Sequence, residues 1–257
     1  MSNINGGFFI SSFLTFYLHS SDGNQLAVGL MSGKVMVFNP ATTSKDGLIA
    51  EMQVSKKAVL AVRYSPNGSL LAAATQDFKV FLMDTKTYGN KAVCVGHHAA
   101  VTHLDFSADG SILQTVSHDY ELLFWNSATG KQIKSPSEVR DVKWSTFTSI
   151  LGWPVQGIWP PDSNGADVNS VCRSIDESLL VTGDCMGLVK LFRYPCPKEK
   201  SQFRQYRGHS SHVCGVAFSA DGKLVYSVGG LDKSVLQFEV KRVATGTATV
   251  GQASSTK

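Results

Sequence analysis

Apolar positions along this chain come in short runs of four to six, punctuated by turn residues. Leu70-Leu71-Ala72-Ala73-Ala74 and Leu179-Leu180-Val181-Thr182 are apolar almost throughout. Lys34–Phe38, Lys79–Met83, Glu121–Trp125, Leu188–Phe192 and Ser234–Phe238 alternate or run apolar. This is the pattern of strands packed between two layers. No segment carries the apolar spacing of an amphipathic helix. Each strand pair is joined by a recurring phrase: Ser65-Pro66-Asn67-Gly68, Ser107-Ala108-Asp109-Gly110 and Ser219-Ala220-Asp221-Gly222. Weaker copies are Ser20-Ser21-Asp22-Gly23 and Ser174-Ile175-Asp176-Glu177. Asn-Gly and Asp-Gly supply the positive φ that a tight hairpin needs.

The phrase is periodic. Its markers Asp22, Asn67, Asp109, Asp176 and Asp221 are spaced by 45, 42, 67 and 45 residues. Three of these four intervals match the ~40–45-residue period of a WD-repeat blade. The chain is therefore expected to be all-β, a WD-repeat β-propeller with about five recognisable blades, at 8–45, 55–88, 93–131, 164–195 and 205–242. The long interval places an insertion at 135–163, and the Gly/Ser/Thr/Ala-rich segment 243–257 reads as a disordered tail.

The third blade carries the fullest signature: Gly96-His97, Ser117-His118-Asp119 and Trp125-Asn126. A buried indole N–H and imidazole must find partners. By position the hydrogen-bonded set is His97, Ser117, Asp119 and Trp125. The second blade keeps Thr75 and Asp77 but has Met83 at the Trp position. The fifth keeps His209 and Asp232 but has Phe238, and the first and fourth have Phe38 and Phe192. Loss of the Trp N–H is expected to release its partners.

Composition narrows the class further. The 257 residues are 43% hydrophobic and 17% charged, which suits a folded chain with a substantial core rather than a disordered one. The net charge of +4 is small for the size and does not argue for nucleic acid. Five cysteines, an odd number without a Cys-x-x-Cys pair, fit a reducing compartment with no disulfide framework. No apolar run reaches the ~18 residues of a membrane span. Phe8–Leu18 has the length of a signal-peptide core, but no Lys or Arg precedes it and no small-residue cleavage site follows.

His97, His98, His103, His209 and His212 are joined by no Cys or carboxylate at ligand spacing, so neither metal nor cofactor is expected. There is no Gly-x-Ser-x-Gly elbow, no His-Glu-x-x-His and no Gly-rich phosphate loop. Ser, His and Asp co-occur in the third blade only at repeat-locked positions, so no enzyme is expected. Two surface candidates remain. Lys198, Lys200, Arg204 and Arg207 form the densest basic run. Trp144, Trp153 and Trp159 cluster in the insertion, either as a local core over an extra hairpin or, for Trp153 and Trp159, as an aromatic partner-facing patch.

The insertion itself is distinctive. It contains Val139-Arg140-Asp141-Val142-Lys143-Trp144-Ser145 and Leu151-Gly152-Trp153-Pro154-Val155-Gln156-Gly157-Ile158-Trp159-Pro160, followed by Asp167-Val168-Asn169-Ser170-Val171-Cys172. With Phe192-Arg193-Tyr194-Pro195-Cys196 and Gly208-His209-Ser210-Ser211-His212-Val213, this string resembles the C-terminal propeller of the echinoderm microtubule-associated protein-like family. The resemblance runs over most of 59–240. It implies tandem propellers preceded by a hydrophobic signature motif and often a coiled coil, neither of which is visible here. A truncated, incomplete ring is the expectation, the alternative being that the five units close as a small ring. The resemblance also implies a non-enzymatic cytoskeletal binding or scaffolding module in the cytoplasm, with tubulin in microtubules or other proteins as partners, and neither nucleic acid nor membrane. The alternative is a generic scaffold, a ciliary or signalling adaptor, that never touches tubulin. The basic run would then match the acidic surface of tubulin.

Overall fold

The computed structural model describes residues 14–20, 22–42, 47–159, 168–242 and 248–256. They form five four-stranded antiparallel sheets, each with its strands in chain order. The first is β1 (Leu14–His19), β2 (Leu26–Leu30), β3 (Lys34–Phe38) and β4 (Leu48–Gln53). The second is β5 (Val59–Tyr64), β6 (Leu70–Thr75), β7 (Lys79–Asp84) and β8 (Asn90–Val95). The third is β9 (Val101–Phe106), β10 (Ile112–Ser117), β11 (Leu122–Asn126) and the short β12 (Gln132–Ile133). The fourth is β13 (Val168–Arg173), β14 (Leu179–Asp184), β15 (Leu188–Arg193) and β16 (Phe203–Arg207). The fifth is β17 (Val213–Phe218), β18 (Leu224–Gly229), β19 (Val235–Arg242) and β20 (Ala248–Thr256). The five expected blades are all present. The chain divides after Ser145 into two compact units, the first with three sheets and the second with two.

The recurring serine phrase is a built turn. In all five sheets the serine hydroxyl donates to the Asx carboxylate or amide oxygen: Ser20–Asp22 2.5 Å, Ser65–Asn67 2.7 Å, Ser107–Asp109 2.5 Å, Ser174–Asp176 2.7 Å and Ser219–Asp221 2.7 Å. The serine Oγ itself accepts the backbone N–H five residues on, at 2.9 Å each time. One serine thus closes the hairpin that a local Asx turn begins. Three donors, the Ser107 and Ser111 hydroxyls and the Ser111 N–H, hold the Asp109 carboxyl down to about 2. Glu177 takes the left-handed position at φ 57 that Gly fills at φ 67–75 in the other four turns, which explains the degenerate fourth phrase.

Burial follows from stacking of sheets. In the first unit Val59, Val62, Leu71, Ala73 and Met83 pack on Ala27, Val35 and Val37 of the first sheet. The other face of the second sheet, through Leu70, Ala72, Ala74, Val80 and Leu82, meets Val101, Leu104, Phe106, Leu113 and Trp125 of the third. Every residue of β6 is buried, which is why its sequence shows no polar alternation. In the second unit Leu179, Val181, Val189 and Leu191 pack on Val213, Val216, Val225, Leu236 and Phe238.

Two expectations differ from the structure. Blade ends read from sequence stop at the third strand, whereas each sheet has a fourth, outer one. The outer strand of the fourth sheet shows why such a strand is easily missed: β16 is Phe203-Arg204-Gln205-Tyr206-Arg207, exposed and mostly polar. The segment read as a disordered tail contributes β20, with Ala248–Thr256 pairing along β19. An outer strand is held chiefly by backbone hydrogen bonds, to which composition is a poor guide.

Candidate functional site

Three groups of residues were candidates from sequence: the third-blade network, its fifth-blade counterpart, and the surface formed by the basic run and the insertion.

In the third sheet, Trp125 and Thr115 are diagonal neighbours, because Leu113 pairs with Trp125 and Thr115 with Leu123. The indole Nε1–H donates to Thr115 Oγ1 at 2.7 Å. The same hydroxyl lies 2.6 Å from His97 Nε2, and His97 Nδ1 lies 3.2 Å from Glu121 Oε2. A carboxylate can only accept, so Nδ1 carries the proton and Thr115 O–H donates to Nε2. Burial pushes the His97 pKa below its ordinary value, against the opposing pull of Glu121, and keeps the ring neutral. By position Ser117 is expected in the hydrogen-bonded set with the indole. Ser117 is not the indole's partner; its hydroxyl donates to Asp119 at 2.5 Å. Thr115 and Ser117 share a face of β10 by period two, and only the cross-strand register separates their roles. Thr75 and Asp77 in the second sheet repeat the Ser117–Asp119 bond, and Ala73 stands where Thr115 stands.

In the fifth sheet His209 and Asp232 are paired as blade-network residues, but the Trp-to-Phe change does not release them. Phe238 has no N–H, yet the imidazole network persists. His209 Nε2 lies 2.7 Å from Ser227 Oγ, and Nδ1 lies 2.9 Å from Asp232 Oδ2. The network serves the buried imidazole as much as the indole. Both networks close a sheet internally: each hydroxyl and imidazole in them is engaged. Among the described residues no cluster of three or more His, Cys, Asp or Glu is placed to hold a metal. No helix among them is long and apolar enough to cross a membrane.

The second unit brings the two surface candidates together. Trp153–Ile158 forms a 3-10 turn that docks on the loop after β15. Cys196 N–H donates to Pro154 O at 2.8 Å, and Gly157 N–H donates to Cys196 O at 2.8 Å. A Cβ at Gly157 would overlap Lys198 O, Ser201 Oγ and, at 2.6 Å, Cys196 O, so only glycine allows this approach. Trp153 is 65% exposed, while Trp159 is half-buried and its indole N–H donates to Ile150 O at 3.0 Å. Trp144 belongs to the first unit, buried and stacked on Phe124 with ring centroids 6.0 Å apart. No extra hairpin joins these tryptophans among the described residues.

Beside the docked turn is a cleft of about 450 Å³. Leu179, Leu191, Phe192 and Phe203 give it an apolar lining, and Arg193, Lys198 and Arg204 add charge. The basic run is therefore not one patch. Lys198 and Arg204 line the cleft, and Lys200 is exposed on the same loop. Arg207 lies three residues along β16 from Arg204, about 10 Å away and on the opposite face, across from Leu188. Arg193 was missed by sequence reading; its signal was its place next to the last apolar residue of β15. Burial pushes the Cys196 thiol up to about 11, so this lining residue is a packing group, not a nucleophile.

Comparison with known proteins places this architecture. The model for the second β-propeller of echinoderm microtubule-associated protein matches residues 13–240. The chain is 44% identical over 222 residues to the 77 kDa echinoderm microtubule-associated protein of Strongylocentrotus purpuratus, covering 85% of this chain and 32% of that one. It is 41% identical to echinoderm microtubule-associated protein-like 2 of Rattus norvegicus, covering 85% and 34%. For echinoderm microtubule-associated protein-like 3 of Homo sapiens the values are 39%, 85% and 25%. The chain thus spans about a third or less of the length of these curated relatives. Among solved structures, a chain of the mitotic checkpoint complex superposes with a TM-score of 0.71 at 15% identity, over 91% of this chain and 76% of that one. The Cps50 (Swd1) β-propeller domain of Myceliophteria thermophila gives 0.61 at 12%, over 95% and 72%. These two likenesses concern the fold alone. From the family match and the identities together, this chain belongs to the echinoderm microtubule-associated protein family, within its second β-propeller.

Proposed function

We propose that this chain is a non-enzymatic, protein-binding propeller module of the cytoskeleton, and that its partner is tubulin in the microtubule. The observation that carries the reading is the match of residues 13–240 to a propeller of a family whose sea-urchin, rat and human members are named as microtubule-associated. The physical logic is a stack of rigid sheets that presents variable loops to a partner. The engagement of Thr115, Ser117, Ser227, His97 and His209 inside their own sheets supports a binding role over a hydrolytic one. Neither nucleic acid nor membrane enters the reading.

Co-sedimentation with purified microtubules tests it. The chain is expected in the pellet at low salt and less so at physiological salt, as the Debye length shrinks from ~30 Å to ~8 Å. A chain that stays in the supernatant at every salt concentration would overturn the tubulin assignment. A scaffold for other proteins would then be the reading to pursue.

A further inference from the structure

We infer that the cleft beside the docked 3-10 turn binds an extended acidic protein segment, with its carboxylates on Arg193, Lys198 and Arg204 and an apolar side chain against the exposed ring of Phe203. The inference rests on the proposed function only for which protein supplies the segment.

Three independent features point to this ligand class. The first is charge. Arg193, Lys198 and Arg204 are exposed at the cleft and have no ion-pair partner among the described residues. The acids of the same sheet are engaged elsewhere: Glu177 with Arg173 at 3.2 Å, Asp184 with Lys190 at 2.9 Å, and Asp176 with the Ser174 and Ser178 hydroxyls. Glu199 is on the same loop but outside the lining. Two guanidinium groups favour planar carboxylate recognition.

The second feature is shape. A volume of about 450 Å³ lies within the ~300–1,000 Å³ of ligand pockets, and an apolar lining with a few polar groups at its edge is their usual make-up. The wall is fixed before any partner arrives, because Gly157 and Pro154 pin Cys196 from both sides. A preformed wall reduces the ordering cost of binding.

The third is the sheet edge. β16, which carries Phe203 and Arg204, is the last strand in its sheet order. Its outer row of backbone N–H and C=O groups suits strand addition by an extended chain better than docking of a helix.

The test uses the full chain and a fluorescent peptide of glutamates flanking one central phenylalanine, with a glutamine version as control. Fluorescence anisotropy is expected to show binding of the Glu peptide, weakening with salt, and little binding of the Gln peptide. Arg193→Glu with Arg204→Glu should weaken the Glu peptide about tenfold or more. Lys233→Glu, on a turn of the fifth sheet outside the cleft, should not. Equal binding of both peptides, or full affinity in the double variant with an unchanged melting midpoint, would overturn the inference. Microtubule co-sedimentation of the same variants separates the two claims. Wild-type pelleting that survives double reversal while Glu-peptide binding is lost leaves both the cleft and the tubulin reading intact but shows that tubulin does not supply the segment; pelleting and Glu-peptide binding that both survive sink the cleft alone. Peptide binding without pelleting keeps the cleft and overturns the tubulin reading.

Discussion

Thr115 is the residue on which the third sheet's polar core turns, and replacing it with valine is the most informative perturbation. Its hydroxyl accepts from the Trp125 indole at 2.7 Å and donates to His97 Nε2 at 2.6 Å. Thr115 is fully buried and Trp125 is 1% exposed, so water cannot replace the lost partner. Valine fits the space, and the first sheet already has Val28 at the equivalent position, opposite Met36. The substitution therefore isolates the hydrogen bonds. Each orphaned buried group costs about 1–3 kcal/mol, so two orphans give about 2–6 kcal/mol. At about 2–4 °C per kcal/mol for a chain of this size, the midpoint should fall by roughly 10 °C. Ser117→Ala, the change that sequence alone would have chosen, removes a bond to an exposed Asp119 and should cost less than about 1 kcal/mol. Ser227→Ala orphans only the His209 imidazole and should fall between them, at about 1–3 kcal/mol. Urea midpoints of all three, with Trp125→Phe and its double variant with Thr115→Val, complete the comparison. In the double variant the orphaned indole is gone, so the two costs should not add. Strict additivity, or a Thr115→Val cost no larger than that of Ser117→Ala, would refute the assigned network.

Three further outcomes are expected. The His97 pKa is lowered on folding from 6.5 by burial, so the unfolded chain takes up the extra proton as pH falls. Its contribution is present above pH 6.5 and lost on acidification through the folded value; urea midpoints measured against pH should decline less steeply in His97→Gln. Gly157→Ala should cost about 1–3 kcal/mol by forcing the 3-10 turn off Cys196 and Lys198, and limited proteolysis should then cut near residues 196–202 faster than in the wild type. The Lys190–Asp184 pair, 2.9 Å apart with side chains 12% and 2% exposed, behaves asymmetrically. Asp184→Ala strands a nearly buried ammonium and should cost about 3–5 kcal/mol, whereas Lys190→Met leaves the Asp184 carboxylate its Met186 and Leu188 N–H donors and should cost less, as thermal melts of both variants would show.

What the sequence determined by itself is what local chemistry encodes. The Ser–Asx turn spans six residues and closes on its own hydrogen bonds, so its five copies, their period and the strands on either side could be read directly. The family string in the insertion was legible for the same reason, as an uninterrupted run of residues. Tertiary structure decided the rest, because it depends on neighbours distant in the chain. Whether Thr115 or Ser117 meets the indole is a matter of the β10–β11 register. That Arg193 and Arg204 share a cleft while Arg207 faces away follows from the pairing of β15 with β16 and the two-residue period of a strand. The outer strand β16 gave little signal because an exposed edge needs no apolar side chains. Only the docking of Gly157 on Cys196, 39 residues apart, joined the tryptophan turn to the basic loop, since close backbone contact is set by shape in three dimensions and leaves one glycine as its trace in the sequence.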